Sequence, residues 1–100
     1  MLARSTTPTI RYTFRRINVT DIVKCVLTIV QKNLTISHDL SEATVGENDI
    51  SWTLTQEETL SLDESLPIEI QIKYKTADGL VNVSRISNVK SYKTLNEDIL

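Results

Sequence analysis

Glycine, cysteine and histidine are scarce in this chain of 100 residues. Gly46 and Gly79 are its only glycines, which excludes a Gly-x-Gly-x-x-Gly dinucleotide motif and a P-loop. Cys25 is the only cysteine, so no intrachain disulfide can form, which fits folding in a reducing compartment. Because His38 is the only histidine, the chain also lacks a usual set of zinc ligands. We therefore predict no cofactor and no metal.

Long apolar runs and a clustered basic field are also missing. The longest apolar stretch, residues 26–30, is far shorter than a membrane span, and residues 1–8 contain no apolar segment typical of a signal peptide. The formal net charge is −2, without the basic surface that binding to nucleic acids or anionic membranes requires. We expect a soluble protein that binds neither nucleic acid nor membrane.

Charge is nevertheless divided along the chain. The N-terminal arm is basic and carries Arg4, Arg11, Arg15 and Arg16. The middle of the chain is acidic and carries Glu57, Glu58, Asp63, Glu64 and Glu69. Such a division can steer a partner or a second copy of the chain, although a solvated surface is the commoner reason for it.

Alternation of apolar and polar residues is the dominant pattern, and it is typical of half-buried β-strands. The alternating rows are Ile10, Tyr12 and Phe14; Val23, Cys25, Leu27 and Ile29; Leu34, Ile36 and His38; Ile50, Trp52 and Leu54; Leu66, Ile68, Ile70, Ile72 and Tyr74; and Val81, Val83 and Ile86. Residues 89–92 add a final strand. We expect Val23 and Cys25 to point inward, Cys25 as a small core side chain, and Trp52 to be a packing centre.

Short turns separate these rows. Turn composition is found at residues 31–33, 46–49 and 76–79. Gly79 can adopt the positive φ that a tight hairpin requires, and Pro67 indicates either an edge position or the beginning of a strand. Thr55 and Glu58 match a capping box, in which each side chain accepts a hydrogen bond from the other residue's backbone N–H. This motif predicts one short helical turn near residues 55–62.

The rhythm of about one short strand every ten residues predicts an all-β fold. We expect an immunoglobulin-like antiparallel β-sandwich of about seven strands. A small barrel is the alternative. Residues 1–100 are expected to form one domain, with loose termini at residues 1–7 and 95–100.

His38 is the candidate for catalysis, because Asp39, Ser41 and Glu42 follow it closely. A hydrolase triad needs a serine on a rigid elbow, a histidine base and an orienting acid, and no Gly-x-Ser-x-Gly elbow is present. The acidic pairs in the middle of the chain lack the alternating spacing and central glycine of a calcium loop. We therefore predict no catalytic or metal-binding residues and no enzymatic activity.

Aromatic side chains bind nucleic acids or sugars only where their rings are exposed. Arginines flank Tyr12 and Phe14, as they do in some nucleic-acid-binding barrels, but the alternation directs both rings into the core. Tyr74 and Tyr92 remain as candidate platforms for a sugar. The sequence therefore offers little aromatic surface for either kind of ligand.

Five segments, which cover nearly the whole chain in order, carry a family resemblance. They are residues 7–10 (TPTI), 51–60 (SWTLTQEETL), 67–72 (PIEIQI), 76–79 (TADG) and 95–100 (LNEDIL). The chain resembles small proteins encoded in prophages of Gram-positive bacteria, among late structural genes near the tail and host-recognition region. It is similar to the immunoglobulin-like N-terminal domain of phage baseplate upper proteins. The block at residues 53–60 is the most specific part.

The resemblance implies a non-enzymatic virion or tail-accessory structural protein that acts through protein–protein contacts. Such a protein is made in the bacterial cytoplasm and becomes virion-associated. Its expected partners are other phage structural proteins, with a second copy of the chain as a further candidate. We expect the contact to use an exposed sheet edge, which offers unpaired backbone groups, and the basic N-terminal arm. A carbohydrate-binding or adhesion module and a host-directed inhibitor are the alternatives.

Overall fold

The computed structural model describes residues 2–95, and within them nine strands and three short helical segments are found. The strands are β1 (Leu2–Ala3), β2 (Thr9–Thr13), β3 (Ile22–Gln31), β4 (Leu34–Asp39), β5 (Thr44–Val45), β6 (Asp49–Thr53), β7 (Pro67–Thr76), β8 (Val81–Val83) and β9 (Ser87–Tyr92). The helical segments are 3₁₀ turns at Val19–Asp21 and Leu40–Glu42 and the helix α1 (Gln56–Leu60). Residues 96–100, part of the predicted loose C-terminus, lie outside the described residues.

The strands form two sheets, which confirms the predicted all-β, sandwich-like fold. The larger sheet has the order β1-β9-β7-β3-β4, and β8 also pairs with β7. The first half of β7 pairs with β9 and its second half with β8, while β3 runs along its other side. The smaller sheet has the order β2-β6-β5. The larger sheet departs from the expected antiparallel arrangement, because β1 and β9 are parallel.

The core lies where the apolar rows of the two sheets meet. Its largest fully buried apolar side chains are Trp52, Leu27, Ile29, Ile50, Leu54, Leu62 and Ile68. Each such side chain stabilises the fold by roughly 1.5–3 kcal/mol relative to an exposed position. The indole of Trp52 also satisfies its polar atom, because Nε1 donates to the Asp39 carbonyl oxygen at 2.9 Å. Trp52 is therefore the packing centre that the sequence predicts.

The predicted inward row of β3 is wrong at one position. Val23 is half exposed, whereas Cys25 and the row that follows it are buried as predicted. The pairing of β3 with β7 shifts register between Ile22 and Lys24, and such an irregularity changes which side chains point inward. Ile22 is buried and takes the inward position predicted for Val23.

The hairpin turns and the helix are confirmed. Lys32 has a φ of 52° between β3 and β4, and Gly79 has a φ of 90° before β8. In the capping box, Thr55 Oγ1 accepts from the Glu58 N–H at 3.1 Å, and Glu58 Oε1 accepts from the Thr55 N–H at 2.9 Å. Pro67 begins β7, which is the second of its two predicted placements.

The described part of the N-terminal segment, residues 2–7, is held in place, although residues 1–7 were expected to form a loose terminus. Leu2 is buried, and β1 pairs with β9. The Thr6 N–H donates to Thr59 Oγ1 at 2.9 Å, and Thr59 Oγ1 donates to the Thr6 carbonyl oxygen at 2.8 Å. A buried apolar side chain and hydrogen bonds to α1 therefore fix this segment.

Candidate functional site

His38 lies between two carboxylates that come from different elements. It is near the end of β4, whereas Glu42 ends the following 3₁₀ turn and Glu58 lies in the first turn of α1. His38 Nδ1 is 2.6 Å from Glu42 Oε2, and His38 Nε2 is 2.5 Å from Glu58 Oε2. The cluster therefore fastens the end of β4 to α1.

The electrostatics of this cluster favour the protonated imidazole. Burial acts to lower the pKa of His38, but the hydrogen bonds and charges of Glu42 and Glu58 outweigh it and raise that pKa above 6.5. Burial acts to raise the pKa of Glu58, whereas the Thr55 N–H and His38 lower it, and the net shift is downward. A protonated imidazole donates through both ring nitrogens, so neither is free to take a proton from a nucleophile.

The residues considered for a triad are not assembled as one. Ser41 Oγ donates to Asp39 Oδ1 at 2.5 Å, and the Ser41 N–H donates to the same oxygen at 3.0 Å. These two contacts lower the pKa of Asp39. The Ser41 hydroxyl therefore belongs to the cap of the 3₁₀ turn, whereas His38 belongs to the ion-pair cluster.

Two further chemical features, metal ligands and the single cysteine, can be located in the structure. Within residues 2–95, no three His, Cys, Asp or Glu side chains are grouped so as to hold a metal ion. Cys25 is 1% exposed, and burial raises its pKa to about 11, so the thiol stays protonated at neutral pH. In the same part of the chain, no helix has the length and apolarity needed to cross a membrane.

Tyr74, one of the two candidate sugar platforms, lies in an aromatic cluster. Its ring centroid is 5.1 Å from that of Phe14, in a T-shaped contact, and 6.4 Å from that of Tyr12. Tyr12 and Phe14 also contact each other edge to face. The three rings therefore pack among themselves, as the alternation predicts for Tyr12 and Phe14. Tyr92 lies in β9, and the structure does not describe its side chain.

A cleft of about 760 Å³ lies between the two sheets. Its lining residues are Ile10, Arg11, Tyr12, Arg15, Ile70, Ile72, Ser84, Arg85 and Ser87. They come from β2 and the segment after it, from β7, from the connection between β8 and β9, and from the first residue of β9. None of them belongs to β6, so the cleft lies on the side of β2 that β6 does not occupy. Its volume is typical of protein binding clefts.

Strand β2 forms one edge of the smaller sheet, and among the described strands it pairs with β6 alone. The Pro8 carbonyl oxygen accepts from the Leu54 N–H at 2.9 Å. The Phe14 N–H donates to the Asn48 carbonyl oxygen at 2.8 Å. These bonds show that the even-numbered backbone positions face β6. Because backbone direction alternates along a strand, the opposite side presents the N–H and C=O groups of Thr9, Arg11 and Thr13.

Three arginines border the cleft, and no acidic side chain lines it. Arg11 Nε is 3.5 Å from Asp49 Oδ2, and the Arg11 side chain remains 63% exposed. Arg15 and Arg85 form no ion pair with any described residue. Arg85 was not predicted as part of a site. No sequence signal marks it, because only the sheet topology brings the segment before β9 next to β2.

The fold divides the predicted basic arm. Arg11 and Arg15 reach the cleft beside β2. Arg4 Nη2 instead donates to the Leu60 carbonyl oxygen at 3.0 Å, at the end of α1. Arg16 lines a different depression, together with two aspartates. The arm is therefore not one continuous surface, and half of it faces the open edge of β2.

A second surface feature is the exposed apolar group around β8. The β8 patch, in which each side chain is more than half exposed, consists of Leu80, Val81, Val83 and Ile86. Val81 and Val83 pair with Lys75 and Lys73 of β7, which confirms the predicted hairpin partner strand. Both valines lie on the outer face of the larger sheet, because the alternate position of β7, Ile72, is buried. Ile86 lies beyond the end of β8.

No protein-family model matches this sequence, and no curated protein or solved structure matches it either. The similarity to phage baseplate domains therefore stays a prediction from the sequence. The β8 patch and the open edge of β2 with its cleft are the features of the structure from which a function can be inferred.

Proposed function

We propose that this protein is a non-enzymatic interaction module, a structural or tail-accessory component of a phage or prophage particle that works through protein–protein contacts. The β8 patch carries the proposal. Single exposed apolar side chains are common on protein surfaces, but a group of them at one sheet edge is typical of an interaction site. The phage setting rests on the sequence resemblance alone.

The two valines of the β8 patch suit a partner that covers the outer face of the larger sheet. Val81 and Val83 point to the same side because they are two residues apart in a strand. Lys73 and Lys75 stand beside them and provide a polar rim, as in protein interfaces with an apolar centre. Burying the valines against a partner stabilises the contact by roughly 25 cal/mol per Å² of apolar surface.

The His38 cluster supports the non-enzymatic part of the proposal. Both ring nitrogens contact carboxylates, and the nearby Ser41 hydroxyl donates to Asp39. A general base needs a free nitrogen within reach of the group it deprotonates. The cluster therefore has a structural role, in which it links β4 to α1.

Quantitative mass spectrometry of purified particles tests the phage setting. We expect the protein at a constant copy number per particle after induction of the host strain that carries its gene. Sequencing the DNA on both sides of the reading frame gives an independent check, because tail, fibre, holin or lysin genes are the expected neighbours. Absence from particles, with neighbours of ordinary metabolism, would contradict the proposal.

A pair of variants tests the β8 patch itself. We expect the double variant Val81→Ser, Val83→Ser to fold normally and to lose about tenfold or more in copies per particle, since two apolar contacts are removed. Val23→Ser is the matched control, because Val23 is a half-exposed valine of the same sheet outside the patch. Equal incorporation of the double variant and the control would show that the contact lies elsewhere.

A further inference from the structure

We propose that the open edge of β2 accepts an extended, acidic segment of a partner protein as an additional strand, with the adjoining cleft receiving its apolar side chains. This inference rests on the proposed function as a protein-interaction module and assigns a partner chemistry to one surface. It is carried by three observations: the unpaired strand edge, the arginines at the cleft, two of which form no ion pair with a described residue, and the apolar lining of the cleft.

The backbone of β2 provides the first element of recognition. Thr9, Arg11 and Thr13 direct their N–H and C=O groups away from β6, and no described strand pairs with that side. A partner strand placed about 4.8 Å from β2 would satisfy these groups with main-chain hydrogen bonds. Main-chain bonds give affinity for any extended segment, so specificity must come from side chains.

The arginines provide the charge selection. Arg15 and Arg85 lack an ion pair with a described residue, and Arg11 has one exposed contact to Asp49. With no acidic side chain in the lining, the cleft attracts carboxylates and repels basic segments. The same charges disfavour a second copy paired through β2, because such pairing brings two sets of these arginines together.

The cleft lining determines the pattern of the partner. Ile10, Ile70 and Ile72 come from both sheets and form part of the apolar lining of the cleft. Successive side chains of an added strand point to opposite faces, so one row enters the cleft while the other faces solvent. We therefore expect a segment in which apolar residues alternate with aspartate or glutamate.

A synthetic fluorescent peptide of alternating glutamate and valine, about as long as β2, is the probe. We expect it to raise fluorescence anisotropy on binding, and to protect the amides of Thr9, Arg11 and Thr13 from hydrogen exchange. A peptide of alternating lysine and valine is the charge control. The same glutamate–valine peptide with N-methyl groups on the backbone positions that would pair with β2 is the strand control.

Two protein variants separate the charges from the backbone. Arg15→Gln with Arg85→Gln should weaken binding about fivefold and reduce its salt dependence, whereas Arg16→Gln, outside the cleft, should leave it unchanged. Thr13→Pro removes an outward N–H of an edge strand without removing a bond to β6, and should weaken binding as well. If Thr13→Pro does not fold, the N-methylated peptide measures the same contribution.

Any of three results of the binding experiments would overturn the inference. These are equal binding of the lysine–valine peptide, equal binding of the N-methylated peptide, and insensitivity to the double arginine variant. A concentration-dependent dimer in sedimentation equilibrium that protects the same β2 amides would also overturn it. If the peptide does not bind but the protein is incorporated into particles normally, this inference is refuted and the proposed function stands. If the protein binds the peptide but is absent from particles, the phage setting is refuted, and binding to an acidic segment of a partner still stands.

Discussion

The side chain of Gln31 connects the end of β3 to the loop after α1, and its removal is expected to destabilise the fold. Gln31 is 4% exposed. Its Nε2 donates to the carbonyl oxygens of Asp63 and Leu66 at 2.7 and 2.9 Å, and its Oε1 accepts from the Asp63 N–H at 2.7 Å. The side-chain amide of Gln31 thus satisfies backbone groups of Asp63 and Leu66, which lie in a loop and not in a strand.

The magnitude follows from the groups left without a partner in Gln31→Met, which keeps the volume but removes the amide. The Asp63 N–H and the Leu66 carbonyl lose their hydrogen bonds to Gln31, while the Asp63 carbonyl keeps its bond from Ser91 Oγ at 2.5 Å. An intramolecular hydrogen bond contributes about 0.5–1.5 kcal/mol net, and a buried unsatisfied group costs about 1–3 kcal/mol. Because two backbone groups lose a partner beside a buried side chain, we expect a loss of about 2–3 kcal/mol.

Urea denaturation of wild type and variant gives this loss as a change in midpoint with an unchanged m-value. Gln71→Met is the matched control, because Gln71 is half-buried and makes one bond, from Nε2 to the Ser84 carbonyl oxygen at 3.1 Å. We expect the control to lose less than about 1 kcal/mol. If both variants lost the same free energy, or Gln31→Met lost less than about 0.5 kcal/mol, the assigned role of Gln31 would be refuted.

Three other predictions concern single side chains. The difference in unfolding free energy between wild type and His38→Gln should be largest between pH 4.5 and pH 6.5, which are the ordinary pKa values of Glu58 and His38. It should shrink as pH rises through the raised pKa of His38 or falls through the lowered pKa of Glu58, and thermal denaturation across pH measures it. Cys25 should react with iodoacetamide only after unfolding, as mass spectrometry across a urea series would show; rapid labelling of the native protein contradicts its burial. Leu2→Ala should cost about 2–3 kcal/mol in chemical denaturation, whereas a loose N-terminus predicts almost no loss.

The alternating rows could be predicted from the sequence because burial of one strand face dictates a period of two. The same rule fails at β3, where Ile22 and Val23 are both apolar and β-branched. Either residue suits the core, and the irregular pairing with β7, which decides between them, leaves no mark in the local sequence. The strand β1 was missed for a related reason, since its two residues are too short to show any period.

The candidate surfaces were predictable only in their parts. An exposed sheet edge and a basic arm were expected, but the sequence could not divide the arm between Arg11, which borders the cleft, and Arg4, which binds the end of α1. Arg85 lies at the cleft because β9, which follows it, pairs with the first half of β7. Gln31 was predicted as part of a turn, because its partners in the chain lie more than thirty residues away.

A comparison with the edge strands β8 and β4 indicates why β2 is suited to bind another chain. β8 is three residues long and adjoins two lysines of β7, and short edges beside lysine disfavour strand addition. β4 is longer, but its exposed side chains are Thr35, Ser37 and the acidic Asp39, and none of them is basic enough to select an acidic segment. β2 combines five residues of strand with Arg11 and an arginine-bordered cleft. An acidic segment added there gains main-chain bonds and charge complementarity together, whereas a second copy gains only the bonds and meets like charge.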